Sequence, residues 1–134
     1  MSDRSQRTRI STGTIWEKQV GYSRAVRAGN LVFVSGTTAT ADDGSTVGPG
    51  DAEEQTRFIL AKIERSLTEA GASLADVVRT RAFVVNAADW EAVGRAHADY
   101  FRDIQPAMTL VEVSALIGDD YLVEIEADAV VDGD

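Results

Sequence analysis

LVEIEADAVV, residues 122–131, is the stretch that decides how this chain folds. Its odd positions Val123, Ile125, Ala127, Ala129 and Val131 are apolar, and its even positions Glu124, Glu126 and Asp128 carry carboxylates. That period of two marks a strand with one face on a core and the other turned away from it. Three carboxylates on one strand face repel one another unless something compensates them. A second β-branched run, VVRTRAFVV at 77–85, sets Arg79, Arg81, Phe83 and Val85 on one face and Val78, Thr80, Ala82 and Val84 on the other. If the two strands are near neighbours, the arginines meet the acids. Two readings of the acidic face stay open. It is a solvated, salt-bridged outer surface, or another subunit covers it and leaves a carboxylate in a cleft. Desolvation there would raise its pKa and fit it for acid/base work. A divalent-cation site is disfavoured, because hard cations usually draw their ligands from a turning loop.

Before the decisive strand, residues 107–113 read as another strand, separated from it by SALIGDDY with Gly118-Asp119 as the turn, so a closing hairpin is expected. From Asp89 the positions Trp90, Val93, His97, Tyr100, Phe101 and Ile104 follow a 3.6 repeat that ends before Pro106. Asp51 with Glu54 three residues on is a helix start, and Thr56, Ile59, Leu60, Ile63, Leu67 and Ala70 keep helical spacing until Gly71. Residues 23–28 and 31–37 are extended segments joined at Gly29-Asn30, a hairpin turn. Residues 38–50, rich in Gly, Asp, Ser and Thr, form a loop. The expected class is α+β, one sheet with two helices packed on one face.

At 134 residues the chain is expected to be one domain over 1–134, with residues 1–9 as a flexible arm. It has no Cys and one His, which removes disulfides, thiolate metal sites, cysteine nucleophiles and multi-histidine metal sites. The net charge of −9 opposes binding to nucleic acid, whose affinity rests on Lys and Arg neutralising phosphates. The charge is uneven: six of the thirteen Lys/Arg but two of the twenty-two acidic residues precede residue 31, among them Arg4, Arg7 and Arg9 of the arm. No apolar run is long enough for a membrane span and the first ten residues lack a signal-peptide core, so a cytoplasmic protein without a membrane partner is expected. His97 falls on the apolar side of its helix and reads as a packed histidine. No G-x-S-x-G elbow surrounds Ser35, and no Lys-Ser/Thr pair follows Gly48-Pro49-Gly50 to make a phosphate cradle. Trp16 and Trp90 read as core or interface residues.

Taken together, Gly21-Tyr22, GNLVFVSG at 29–36, the helix at 54–71, the strand at 78–85, Pro106-Ala107 and above all VEIEA at 123–127 resemble the Rid (YjgF) group of reactive-intermediate imine deaminases, formerly described as L-PSP endoribonucleases. The resemblance spans about residues 21–131. It implies a chorismate-mutase-like fold, a homotrimer with three clefts between subunits, and a small-molecule ligand with no cofactor or metal. In deaminating members of the group a Glu matching Glu124 positions and activates water. Residues matching Tyr22, Ser35 and Gly36 line the pocket, and an Arg directly after Pro-Ala clamps the substrate carboxylate. Here Ala107 is followed by Met108, a thioether that cannot imitate the bidentate fork of Arg. An Asn of the family pocket is likewise replaced by Ala88, with Asn86 nearby. The resemblance therefore implies either an imine or enamine hydrolase for which ordinary 2-imino acids are poor substrates, or a non-catalytic small-ligand-binding or regulatory trimer. Arg24 restores the clamp if the chain around Tyr22 is extended, since residues 22 and 24 then share a face. A ribonuclease is disfavoured by the charge and by the lack of a second His.

Overall fold

The computed structural model describes residues 7–132. The elements run β1 (Thr8–Ile10), α1 (Ile15–Val20), β2 (Ala25–Ala28), β3 (Leu31–Thr37), α2 (Ala52–Glu69), β4 (Val77–Val84), α3 (Trp90–Phe101), β5 (Ala107–Glu112) and β6 (Val123–Val130). One six-stranded sheet has the order β1-β2-β3-β6-β4-β5. β6 lies antiparallel to both β3 and β4, so the last strand is inserted between two earlier ones. Its apolar face is shut off: Val123, Ile125 and Ala127 are fully buried with Ile59, Leu60, Ile63 and Leu67 of α2. Val93 and Phe101 of α3 join the same core, so both long helices pack on one face, as the α+β reading requires.

The hairpin expected between residues 107–113 and 122–131 does not form. β5 pairs in parallel with β4, from Arg79 opposite Ala107 to Val84 opposite Glu112. α3 supplies the crossover that parallel neighbours need, and the segment after β5 carries the chain past β4 to β6. Alternation identifies a strand but not its neighbour, and the Gly118 turn lies within this longer connection. The acids and arginines do meet. Arg79 stands opposite Asp128 and Arg81 opposite Glu126, and Arg81 Nη1 reaches Glu126 at 3.1 Å and Asp128 at 3.3 Å.

Other expectations are corrected locally. The β4–β6 register shifts between Val77 and Arg79, so Val77 is buried and Val78, expected to share the core face with Thr80, is exposed. Trp90, at the first position of α3, lies outside the buried stripe, and Trp16 is also exposed, so neither belongs to the core. The hairpin of residues 23–28 with 31–37 forms, but its first strand begins at Ala25. The arm expected over 1–9 is partly strand: Thr8 pairs with Arg27 and Arg9 with Val26, while Arg4 lies outside the described residues. β1 and the six-residue α1 are too short to show a period. No helix among the described residues is long and apolar enough to cross a membrane.

Two polar residues in the core organise what surrounds it. His97 Nε2 lies 2.9 Å from Thr80 Oγ1 and its ring packs against Phe101, and burial pushes its pKa below the usual imidazole value. It is a packed histidine. Gln55, fully buried on α2, donates from Nε2 to the carbonyls of Asp120 (2.8 Å) and Gly48 (3.2 Å) and accepts from Leu122 N (2.9 Å). One amide thereby ties the loop before α2 and the loop before β6 to the same helix. Replacing it with Leu strands two carbonyls and one amide, each costing about 1–3 kcal/mol when buried without a partner. Gln55→Leu is therefore expected to lower the urea midpoint by the equivalent of about 2–4 kcal/mol at unchanged slope, and a loss below about 1 kcal/mol would show the loops to be held otherwise.

Candidate functional site

The two loops fastened by Gln55 wall a cleft of about 1060 Å³. Its other walls are the segment around residues 11–14, the outer face of α2, and the ends of β2, β3 and β6. Of the residues expected to form a site, Tyr22, Gly36 and Glu124 line it. Ser35 stands behind the wall, its Oγ donating to Ser23 O at 2.7 Å, so it fixes the backbone leading to Arg24. Ala107 and Met108 do not line this cleft. They sit exposed on β5, and β4 separates β5 from the strand that carries Glu124. Asn86 and Ala88 belong to the turn before α3, where Asn86 Oδ1 accepts from Ala88 N at 3.0 Å.

Glu124 occupies a place made for it. The β3–β6 register breaks between Val34 and Thr37, and Gly36 falls in that irregularity. A Cβ added to Gly36 would land on Glu124 Oε2, the free end of its side chain, so any larger residue at 36 would turn the carboxyl out of its present place. Burial raises the Glu124 pKa above the ordinary glutamate value. The positive charge of Arg24 acts against this rise and the negative charge of Glu126 adds to it. Such a half-buried carboxyl exchanges a proton nearer to neutrality than a solvated one.

The extended chain expected around Tyr22 is not kept, since the backbone bends at Arg24 just before β2, yet the Arg24 side chain lines the cleft with Tyr22 and Glu124. Its guanidinium lies 5.4 Å from the centre of the Tyr22 ring. Nη2 donates to Gly36 O at 2.8 Å and Nη1 to Thr37 Oγ1 at 3.4 Å. Lys62 and Arg65 also line the cleft, and neither was singled out from the sequence. A signal existed, since Lys62, Arg65 and Glu69 are spaced by three and four and share one helix face. Lys62 Nζ donates to Thr40 O at 3.0 Å, while Thr40 Oγ1 lies 2.6 Å from Tyr121 OH and bridges the two loops. Burial, with the positive charges of Arg24 and Arg65, pushes the Lys62 pKa down, and the negative charges of Asp42 and Glu17 act against the fall.

The rim is held by Glu17, 5% exposed, whose carboxylate accepts from the hydroxyls of Thr12 (2.6 Å), Ser11 (2.7 Å) and Thr14 (2.9 Å). Burial alone would raise its pKa, but these bonds outweigh it and lower the value to about 2. Among the described residues no group of His, Cys, Asp and Glu could hold a metal ion.

Comparison with known proteins places the chain in a family and agrees with its fold. The family profile described as Endoribonuclease L-PSP matches residues 15–131. The chain is 38% identical over 104 residues to the 3-aminoacrylate deaminase RutC of Acinetobacter baylyi, covering 78% of this chain and 82% of that one. Among solved structures, Rv2704 of Mycobacterium tuberculosis, a member of the YjgF/YER057c/UK114 family, is 51% identical with a TM-score of 0.86, over 94% of this chain and 100% of that one. The chain belongs to the Rid/YjgF family. The YjgF gene product of E. coli, at 28% identity and a TM-score of 0.75 over 92% of each chain, shares its fold. Against the family pattern implied by the sequence, this Rid/YjgF chain keeps Tyr22, Gly36 and Glu124 together in one cleft and places Arg24 beside them.

The electrostatics of Glu124 can be read directly by carboxyl ¹³C NMR. Its midpoint is expected above the ordinary value of 4.5. Arg24→Met removes an opposing positive charge and is expected to raise the midpoint further, while Glu126→Gln is expected to lower it. A midpoint at or below 4.5 in the wild type would contradict the desolvated environment.

Proposed function

We propose that this protein is a hydrolytic deaminase of a small imine or enamine, with Glu124 as the group that handles the proton. The observation that carries this reading is a half-buried carboxyl of raised pKa, seated against Gly36 at the base of a cleft large enough for a small ligand. The named activity of the RutC relative supports it. An imine carbon becomes strongly electrophilic once its nitrogen is protonated, so catalysis asks only for an oriented water and a proton carrier. Protonated Glu124 donates to the imine nitrogen, water adds to the carbon, and the carboxylate takes up the proton the water loses. The carbinolamine then collapses as Glu124 gives that proton to nitrogen and takes back the hydroxyl proton, releasing a carbonyl compound and ammonia and restoring the acid. An enamine enters the same route after protonation at its β-carbon.

Met108 leaves the β5 position without the guanidinium that the resemblance implies for deaminating members, so a 2-imino acid cannot be clamped there. That same observation favours the second reading, a small-ligand-binding or regulatory protein using the cleft without turnover. An endoribonuclease is opposed by the net charge and by His97, which is packed against Thr80 and Phe101.

Assembly as a homotrimer belongs to the same proposal. The sheet face away from the helices exposes Phe33, Val78 and Val111 between charged residues, an apolar surface of the kind that subunits cover. Ala107 and Met108 would reach a cleft only from a neighbouring subunit. Sedimentation equilibrium is expected to return three times the 14.4 kDa chain mass, and a monomer at micromolar concentration would remove the neighbour's contribution to the site. Wild-type protein is expected to release ammonia from freshly generated small imines faster than buffer does. Glu124→Gln should lower kcat by about 10²–10⁴ with an unchanged melting temperature. Equal rates for the two proteins would instead favour the non-catalytic reading.

A further inference from the structure

Lysine is the scarce cation of this chain. Of the thirteen basic residues only Lys18 and Lys62 are lysines, the rest being arginine. Lys18 stands exposed on α1, whereas Lys62 is half-buried and lines the cleft. The two kinds of side chain differ in one respect that matters there. An arginine keeps its proton in a protein, while a lysine can release one and become a nucleophilic amine.

Little around Lys62 obliges it to stay charged. No ion pair among the described residues engages it. Its Nζ donates to the Thr40 carbonyl at 3.0 Å. An uncharged carbonyl accepts from a free amine as well as from an ammonium, and one N–H spent on it leaves the lone pair available. The charged groups nearby come from four parts of the chain. Arg24, just before β2, and Arg65, three residues on along α2, join burial in disfavouring the ammonium. Asp42 of the loop before α2 and Glu17 of α1 favour it, and the first set prevails. Glu17 is held by three hydroxyls, Asp42 is exposed, and neither comes within salt-bridge distance of Lys62. Glu69 and Glu124, also on the cleft wall, stand beyond that distance too. A desolvated lysine beside other cations is the setting in which amines attack carbonyl carbons.

We infer that Lys62 is a nucleophile, and that the cleft captures small uncharged aldehydes as imines of this lysine. The free amine attacks the carbonyl carbon, a C–N bond forms, and the π pair of the carbonyl moves to oxygen. That oxygen takes up the proton which the nitrogen loses, giving a carbinolamine. The nitrogen lone pair then expels the hydroxyl, which leaves as water with a proton drawn from solvent, and the nitrogen returns its remaining proton to solvent. One amine and one aldehyde become one imine and one water, with nothing oxidised or reduced. Water reverses the sequence and restores the lysine. An uncharged ligand suits this chemistry because an anion beside Lys62 would favour the ammonium and remove the nucleophile. The activity goes beyond the imine-hydrolase reading and does not rest on it, since it needs only the amine and the cleft.

Reductive trapping tests it on the whole protein. Propanal is added with cyanoborohydride, which fixes an imine as a stable secondary amine, and peptide mapping by mass spectrometry follows Lys62, Lys18 and the α-amino group separately. At neutral pH Lys62 is expected to label severalfold faster than Lys18. Its rate should saturate with propanal, as entry into a cleft requires, while that of Lys18 rises in proportion. The advantage should shrink as the pH approaches the ordinary lysine value of 10.5. Arg65→Met, at an exposed position, removes a neighbouring positive charge and should slow labelling of Lys62, whereas Asp42→Asn should speed it. Labelling of Lys62 no faster than that of Lys18 overturns the inference. So does an unsaturable rate that neither Arg65→Met nor Asp42→Asn changes, which would mark an amine that is merely accessible. Ammonia release from imines is measured apart from this, so either result leaves the hydrolase reading to its own assay.

Discussion

A strand placed between two others has no free edge and must satisfy both neighbours and both faces at once, and β6 does this for the whole molecule. Its odd side chains close the core beneath α2, and β3 and β4 hold its backbone on either side. The three carboxylates on its other face are therefore fixed in register against both neighbours. Arg81 is shared between Glu126 and Asp128. Glu124, at the end where the β3 register breaks, is not paired in this way and lies over Gly36. The same strand thus yields a salt-bridged surface at one end and a desolvated acid at the other.

Charge placement sets the cleft apart from the rest of the surface. An acidic chain has carboxylates to spare, and the surface arginines use them: Arg57 pairs with Glu53 and Asp99, and Arg95 with Glu53. Exposed pairs of this kind contribute little to stability, but they show that pairing is the ordinary outcome for an arginine here. Arg24 and Lys62 depart from it while being more deeply buried, and the acids that favour their charge act without direct pairing. Glu17 is the contrasting case. Its buried charge is satisfied by three hydroxyls, so it stabilises the rim and has no capacity left for a ligand.

Much of this was legible in the sequence, for reasons that can be stated residue by residue. Long amphipathic patterns survive folding because burial enforces them, so α2, α3, β3 and β6 stand where their periods placed them. The pattern of residues 107–113 was equally clear, yet its partner was misassigned, because hydrophobic alternation is a property of one strand and pairing is a property of two. Val78 was put on the wrong face by a bulge that costs one residue and leaves no mark in composition. α1 has six residues, fewer than two turns. For the site, Tyr22, Gly36 and Glu124 were identified by resemblance, and Arg24 on the supposition of an extended chain that the bend before β2 does not keep. Lys62 and Arg65 were passed over because charges on the outer face of a helix ordinarily mean solvent. Only the fold shows that this part of α2 walls a cleft.

Arg24 and Glu124 are coupled, and the coupling has a direction. In the empty cleft the Arg24 charge holds the Glu124 pKa below what burial alone would impose. Glu126, two residues along the same strand, acts in the other direction and adds to the effect of burial. Arg81 holds Glu126 and Asp128 but does not reach Glu124, so the cation that tempers this acid comes from the chain before β2 and not from the strand beside it. The proton affinity of Glu124 is therefore a property of the fold, set where two distant parts of the chain meet, and the alternation of β6 alone does not contain it.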